Sequence, residues 1–197
     1  MRRPAIALLF LVAMIALTAC GAPAKTAPSL PPLHLAPATD LVQAAGVRLL
    51  LEFQPRALLA HPELARALSR VISDENFSRF RDTHGGVDVR ELEELVYAQY
   101  PQTTLMLARG VIDPSLVEKA FSTRVVIEGR GIDRHADPLG SIVRAWGSFG
   151  EQREQMAIFG HELVGIESGH FGPLRSAEFF AEEKLKRASP ALRTEPF

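Results

Sequence analysis

From Thr123 to Ser168 the chain repeats one device: a short apolar stretch, a glycine or polar break, then another. "TRVVIEGR", "SIVRAWGSF", "EQMAIFG" and "ELVGIES" follow one another in this way. Apolar runs of this length, rich in Val and Ile and closed by glycine, read as strands. Breaks of a few residues leave no room for the crossover that parallel neighbours need, so the strands form an antiparallel meander. "TTLMLAR", from Thr103 to Arg109, is apolar on both sides and belongs in the middle of the sheet. "VRLLLEF", from Val47 to Phe53, adds a further strand. The expected class is α+β: a mainly antiparallel sheet with helices packed on one face.

The helices are read from caps and spacing. Pro55 to Ile72 reads as helix restarted at Pro62, with Leu64, Ala67, Leu68, Val71 and Ile72 on one side. "DENFSRFRDTHGG" gives a second helix, carrying Phe77 and Phe80 and ended by Gly85-Gly86. Asp88 and Glu91 would cap a third, with Leu92, Leu95 and Val96. All three are expected to pack into the core. Asp113-Pro114 opens a helix through Phe121, and a last amphipathic helix runs from about Pro173 to Arg187. "LMLARGVIDPSLVEKAF" and "VGIESGHFGPLRSAEFF" align without gaps, Gly110 on Gly169, Pro114 on Pro173 and Phe121 on Phe180. This echo suggests a duplicated strand–helix unit of the ferredoxin-like kind, or reuse of the same turn chemistry.

The N-terminus says where the protein works. Arg2 and Arg3 precede an uninterrupted apolar run from Ala5 to Ala16, and small residues lead to Cys20, the sole cysteine. A positive start, a short apolar core and small residues at the cut describe an export signal rather than a spanning helix. Leu17-Thr18-Ala19-Cys20 resembles the lipobox of bacterial lipoproteins. That resemblance covers the signal alone. It implies that the Cys20 sulfur carries a diacylglycerol, that cleavage precedes it, and that the new amino group is acylated. It also implies that Gly21 permits passage to the outer membrane in diderm bacteria. Two or more acyl chains hold a protein stably where one does not. The expected layout is a signal peptide over 1–19, a Pro/Ala-rich tether over 20–42 and one domain over 43–197. Apart from the lipobox, the body resembles uncharacterised secreted bacterial proteins.

Once the signal is removed, the formal net charge moves from −1 to −3, because two arginines go with it. That is no footprint for nucleic acid, which calls for clustered positive charge. With Cys20 modified no thiol remains, which leaves neither a disulfide framework nor thiol catalysis.

Chemical motifs are few. "HELVG" begins like a zinc-protease motif, but Gly165 stands where the second histidine must lie one helical turn on. His161, Glu162 and His170 remain the candidates for convergence. "DRHADP" sets Asp133, His135 and Asp137 at alternate positions, yet Pro138 and Arg144 occupy the places where a calcium loop wants glycine and a bidentate carboxylate. A polar hairpin loop is the simpler reading. No G-x-S-x-G elbow and no phosphate loop occurs. Arg124, Glu128, Arg130 and Arg144 read as cross-strand charge pairs on a wet sheet face rather than a surface for an anionic ligand, and Trp146 as an anchor of the core rather than of a groove. No catalytic, cofactor or metal residue is assigned. The only modification site is Cys20, with the bilayer as partner and an envelope protein as a second one. The reading is a non-enzymatic envelope lipoprotein that binds a partner or organises the cell surface. The competing class is an envelope hydrolase, or a small-ligand or metal-binding module, using His161, Glu162, His170 or the Asp133–Asp137 loop.

Overall fold

The computed structural model describes residues 35–137, 140–170 and 172–181. The expected signal peptide, the lipobox-like residues 17–20 and most of the expected tether lie outside them. Seven strands form one antiparallel sheet: β1 (Leu49–Phe53), β2 (Glu94–Gln99), β3 (Thr103–Arg109), β4 (Val126–Asp137), β5 (Gly140–Phe149), β6 (Gln152–Phe159) and β7 (Leu163–Gly169). Their order across the sheet is β1-β2-β3-β7-β6-β5-β4. The helices are α1 (Pro55–Leu59), α2 (Pro62–Ser69), α3 (Asp74–Thr83), α4 (Pro114–Arg124) and α5 (Pro173–Ala181). The chain is therefore α+β, with the antiparallel sheet the apolar runs indicate. The final helix is described as far as Ala181; the remainder of its expected span lies outside the described residues.

Helical segments pack against both faces of the sheet rather than one. Alternate residues of a strand point to opposite sides, and here both sides are apolar. On the first face Leu105, Leu107, Ala157, Phe159 and Leu163 meet Leu174 and Ala177 of α5. On the second face Ala108, Met156, Ile158 and Val164 meet Val117 and Phe121 of α4. The first core also takes in Leu35, Ala38, Leu41 and Val42, which surround a short 3-10 turn (Ala38–Leu41). The last residues of the expected tether thus belong to the domain. Their composition is that of a spacer, but four apolar side chains leave water there, each worth about 1.5–3 kcal/mol for the larger ones.

Two further expectations change. The expected third helix is a 3-10 turn (Val89–Glu91) followed by β2. Asp88 does cap, accepting from the Arg90 N–H, but Leu95-Val96-Tyr97-Ala98 then runs extended. Its β-branched and aromatic residues suit a strand between two partners, and the spacing of Leu92, Leu95 and Val96 fits either period. The second change is α2, which forms as expected but buries none of its side chains.

The internal echo holds as local chemistry. Pro114 and Pro173 each start a helix after a strand and a glycine. However, β3 and β7 are antiparallel neighbours, and α4 and α5 lie on opposite faces. Ferredoxin-like units would place both helices on one face, so the likeness stops at the turns.

Gly165 explains why the second histidine of "HELVG" is absent. It sits on the first face of β7 beneath α5, and a Cβ there would stand 2.5 Å from Leu174 Cδ1 and 2.9 Å from Leu107 Cδ2. Both neighbours are fully buried. Gly165→Val is expected to lower stability by about 1–3 kcal/mol through overpacking. Gly172→Ala, with open space around its would-be Cβ, should stay within about 0.5 kcal/mol of the parent. Urea unfolding of both variants checks the pair.

Candidate functional site

The candidates raised by the sequence do not come together. His161 and Glu162 sit exposed in the β6–β7 turn, and His170 follows the other end of β7. The seven residues of β7 separate Glu162 from His170, roughly 25 Å. His161 lies with Nδ1 3.3 Å from the Ile112 carbonyl oxygen. Among the described residues no three His, Cys, Asp or Glu side chains are grouped to hold a metal. Asp133, His135 and Asp137 stand in β4, opposite Arg144, Ile142 and Gly140 of β5. They are strand residues rather than a loop, and their side chains lie outside the described set, as do those of Glu128 and Arg130. Arg124 and Arg144 do not share a wet sheet face. Arg124 is the last residue of α4, and Arg144 pairs with Glu178 of α5 at 2.8 Å. Trp146 is half-buried and lines a shallow surface hollow with Arg144, Arg175 and Glu178.

What the fold builds instead is an apolar cavity of about 170 Å³ on the second face of the sheet. Its floor is Met106 of β3, Met156 of β6 and Val164 and Ile166 of β7, with Leu95 of β2 at one side. Its roof is Phe80 and His84 from α3 and the residue after it, Val87 and Val89 from the following loop, and Val117, Ala120 and Phe121 of α4. Carbon makes up nearly the whole surface. For scale, an engineered cavity of about 150 Å³ with a comparable lining stays dry and binds benzene. This one has room for about six carbons.

Local sequence rules set the roof. Ser73 caps α3 by accepting from the Asn76 N–H, and Asp113 caps α4 by accepting from the Ser115 and Leu116 N–H groups. After α3 the chain turns through Gly85 at φ +69, where a Cβ would lie 2.5 Å from Val117 Cα. Only glycine permits both that conformation and that approach. So the loop closes tightly onto α4 while Phe80 and Phe121 hold the helices apart over the floor.

The mouth is polar and shared with an outer groove that adds Arg81, Asp82, Lys119 and Thr123. The His84 ring stacks on Phe80 with centroids 3.8 Å apart, and its Nδ1 lies 2.9 Å from the Phe80 carbonyl oxygen. Arg124 closes the other side. Its Nη2 is 2.6 Å from Glu154 Oε2, and its guanidinium lies 5.7 Å from the Phe121 ring centre. The salt bridge places a cation at the rim and keeps the Glu154 carboxylate from standing unpaired inside.

No family model and no curated protein matches the chain. Among solved structures it is similar to TP0453. Crystal form IV gives a TM-score of 0.44 with 13% identity over 76% of this chain and 53% of that one. Crystal form III gives 0.43 with 12% identity, over 74% and 51%. The chain spans about half the length of these structures. A likeness of that size carries no argument about function.

The opposite face holds one buried carboxylate with a different task. Glu167 is fully buried and accepts from the Gly172 and Leu174 N–H groups at 3.0 and 3.3 Å and from Gln155 Nε2. It caps α5 from the neighbouring strand. Burial raises its pKa above the ordinary 4.5, against the lowering effect of those donors. Its charge also helps hold the Tyr100 phenol up at about 12, where burial is the larger cause. An acid with a raised folded-state pKa favours the folded protein most below its ordinary value and loses that contribution as pH climbs through the folded value. Glu167→Gln removes this titration. The stability of the variant relative to the parent should therefore grow as pH rises from about 4 and then level off. Denaturant melts across the pH series read it, and a difference that stays flat throughout would contradict the assignment.

Proposed function

We propose that this protein is a lipid-anchored envelope lipoprotein whose folded domain is a non-enzymatic module for the alkyl or small aromatic part of an amphiphile. The anchor is Cys20, with the outer membrane as its address. The binding site is the cavity between α3, α4 and the second face of the sheet. The supporting observation is the carbon-lined space of about 170 Å³, which shares His84, Ala120 and Arg124 with the outer groove. A well-packed interior has few voids larger than a water molecule. One that borders a groove carrying charged side chains of both signs, Arg81, Asp82, Lys119 and Arg124, is suited to an apolar group carrying a polar end. Thr83 Oγ1 lies 3.0 Å from His84 Nδ1 in the lining, but it is also 2.8 and 3.1 Å from the Arg79 and Phe80 carbonyl oxygens and so is engaged by its own helix. The remaining carbon wall supports binding.

The anchor is tested by replacing Cys20 with serine. The protein should leave the membrane fraction, and mass spectrometry of the parent should find acyl chains on the residue-20 sulfur. An unmodified thiol and unchanged fractionation would overturn it. The cavity is tested on the chain begun at residue 20 with Cys20→Ser, which contains every residue of both cores and needs no detergent. Titration calorimetry with alkanoates of rising length should show affinity growing about fourfold per methylene, from about 0.8 kcal/mol each, and flattening near six buried carbons. Ala120→Phe would fill the mouth. Binding should then vanish while Tm holds or rises. Alkanoates that bind this variant as tightly as the parent, or bind neither, would remove the cavity from the proposal.

A further inference from the structure

Of the ten large apolar side chains exposed among the described residues, six fall in one stretch of chain, while Val111, Leu116, Val126 and Phe149 lie elsewhere. Leu49, Leu51, Phe53, Leu58, Leu64 and Val71 are all exposed large apolar residues within residues 49–71. Leu49, Leu51 and Phe53 alternate along β1, the edge strand, and so share one face. That face is the one carrying the cavity. Leu51 pairs with Tyr97, Tyr97 with Met106, and Met106 with Ile166, and the last two form the cavity floor. From β1 the chain enters α1, which packs on the 3-10 turn Val89–Glu91 at the cavity roof, and then α2. Leu64, Ala67, Leu68 and Val71 fall on one side of α2, with Arg66 and Arg70 on the other. No side chain of α2 is buried, and Val71 just beyond it is 81% exposed. Leu68 is half-buried, but Leu64 and Val71 leave the rest of the apolar side open to solvent, and an amphipathic helix with such an open side suits a partner outside the fold.

We infer that β1, α1 and α2 lie on the surface of a lipid bilayer, with Leu64 and Val71 in the boundary between headgroups and acyl chains. This rests on the Cys20 anchor proposed above. Two observations choose a bilayer over other occupants. The first is charge. Between residues 48 and 72 four arginines face only Glu52 and Glu63, the reverse of the chain's negative total. Arg56 is engaged with Glu93, which leaves Arg48, Arg66 and Arg70 for anionic headgroups. The polar side of a membrane-surface helix carries such cations. The second is reach. Fourteen residues lie between Cys20 and Leu35, at most about 50 Å of chain. A tether that short holds the strip near lipid at an effective concentration on the order of millimolar. Even a shallow insertion with millimolar affinity would then be half occupied.

The lipidated full chain is placed on vesicles of three parts phosphatidylethanolamine to one part phosphatidylglycerol. Since Cys20 is the only natural cysteine and carries the lipid, a single new cysteine takes an environment-sensitive nitrobenzoxadiazole label. Val71→Cys reports on the strip, and Gln152→Cys at the exposed start of β6 is the reference. The label at position 71 should shift to the blue and be quenched by acyl-chain nitroxides at least threefold more than that at 152. Phosphatidylglycerol-free vesicles, or Arg66→Glu with Arg70→Glu, should shrink that contrast. Vesicle sedimentation is read on the same samples. Protein that sediments with both labels in water would overturn the docking while leaving the anchor standing. Protein that fails to sediment would overturn both. Concentration-dependent protection of position 71 without vesicles would assign the strip to a second copy of the chain, which also overturns the bilayer.

Discussion

The structure depends on β7 being buried on both sides at once. As an interior strand it has no solvent face, so its alternate residues must serve two different layers. Leu163, Gly165 and Glu167 face α5, while Val164 and Ile166 face α4 and the cavity. A one-residue slip would drive Glu167 into the apolar floor and Ile166 against the N-terminus of α5. The close passage of α5 fixes the register further, because Gly165 alone leaves room for Leu174. Once β7 is set, its neighbours β3 and β6 are set with it, and so are the two layers that cover them.

Four carboxylates then fasten the covering segments to the sheet. Glu94 on β2 accepts from the Ala38 and Thr39 N–H groups of the N-terminal 3-10 turn and pairs with Arg109 on β3. Glu154 on β6 pairs with Arg124 at the end of α4. Glu167 on β7 caps α5, and Glu178 on α5 reaches back to Arg144 on β5. Each tie joins an outer segment to a particular strand position. Buried ion pairs contribute little net stability, yet breaking one costs about 3–5 kcal/mol. Such ties select one packing among several that apolar burial alone would tolerate. The Glu154 tie also places Arg124 at the cavity mouth, so one contact orders the fold and charges the rim.

The strands were legible because their residues carry the signal themselves: β3 and β5 to β7 are short, apolar and ended by glycine or polar breaks. So were the starts of α4 and α5, where Pro114 and Pro173 mark the first turn. Legibility failed where two periods coincide. Leu92, Leu95 and Val96 satisfy a helix as well as a strand, and only pairing with β1 and β3 decides for β2. It failed again at residues 35–42, where a proline- and alanine-rich composition conceals four buried side chains. The cavity left no motif because its walls come from four strands, two helices and a loop, each contributing a few ordinary apolar residues. The one local hint was Phe80 three residues after Phe77, a spacing that also serves plain packing.

Exposed apolar surface has a cost that a solitary domain has every reason to remove, at about 25 cal/mol for each Å². Here six of the ten exposed large apolar side chains among the described residues lie between residues 49 and 71. Leu51 begins a lateral row that continues through Tyr97 to Met106 and Ile166, so the outer strip and the cavity floor are one surface. Crossing it from the free edge to Met106 takes two strand spacings, about 10 Å. With the strip against lipid, an alkyl chain would travel that distance without leaving apolar contact, and its polar end would meet Arg124 and His84 at the mouth. A site opening only to water would gain nothing from an apolar row leading to an unprotected sheet edge, which invites aggregation. The cavity and the strip therefore explain each other better than either explains itself.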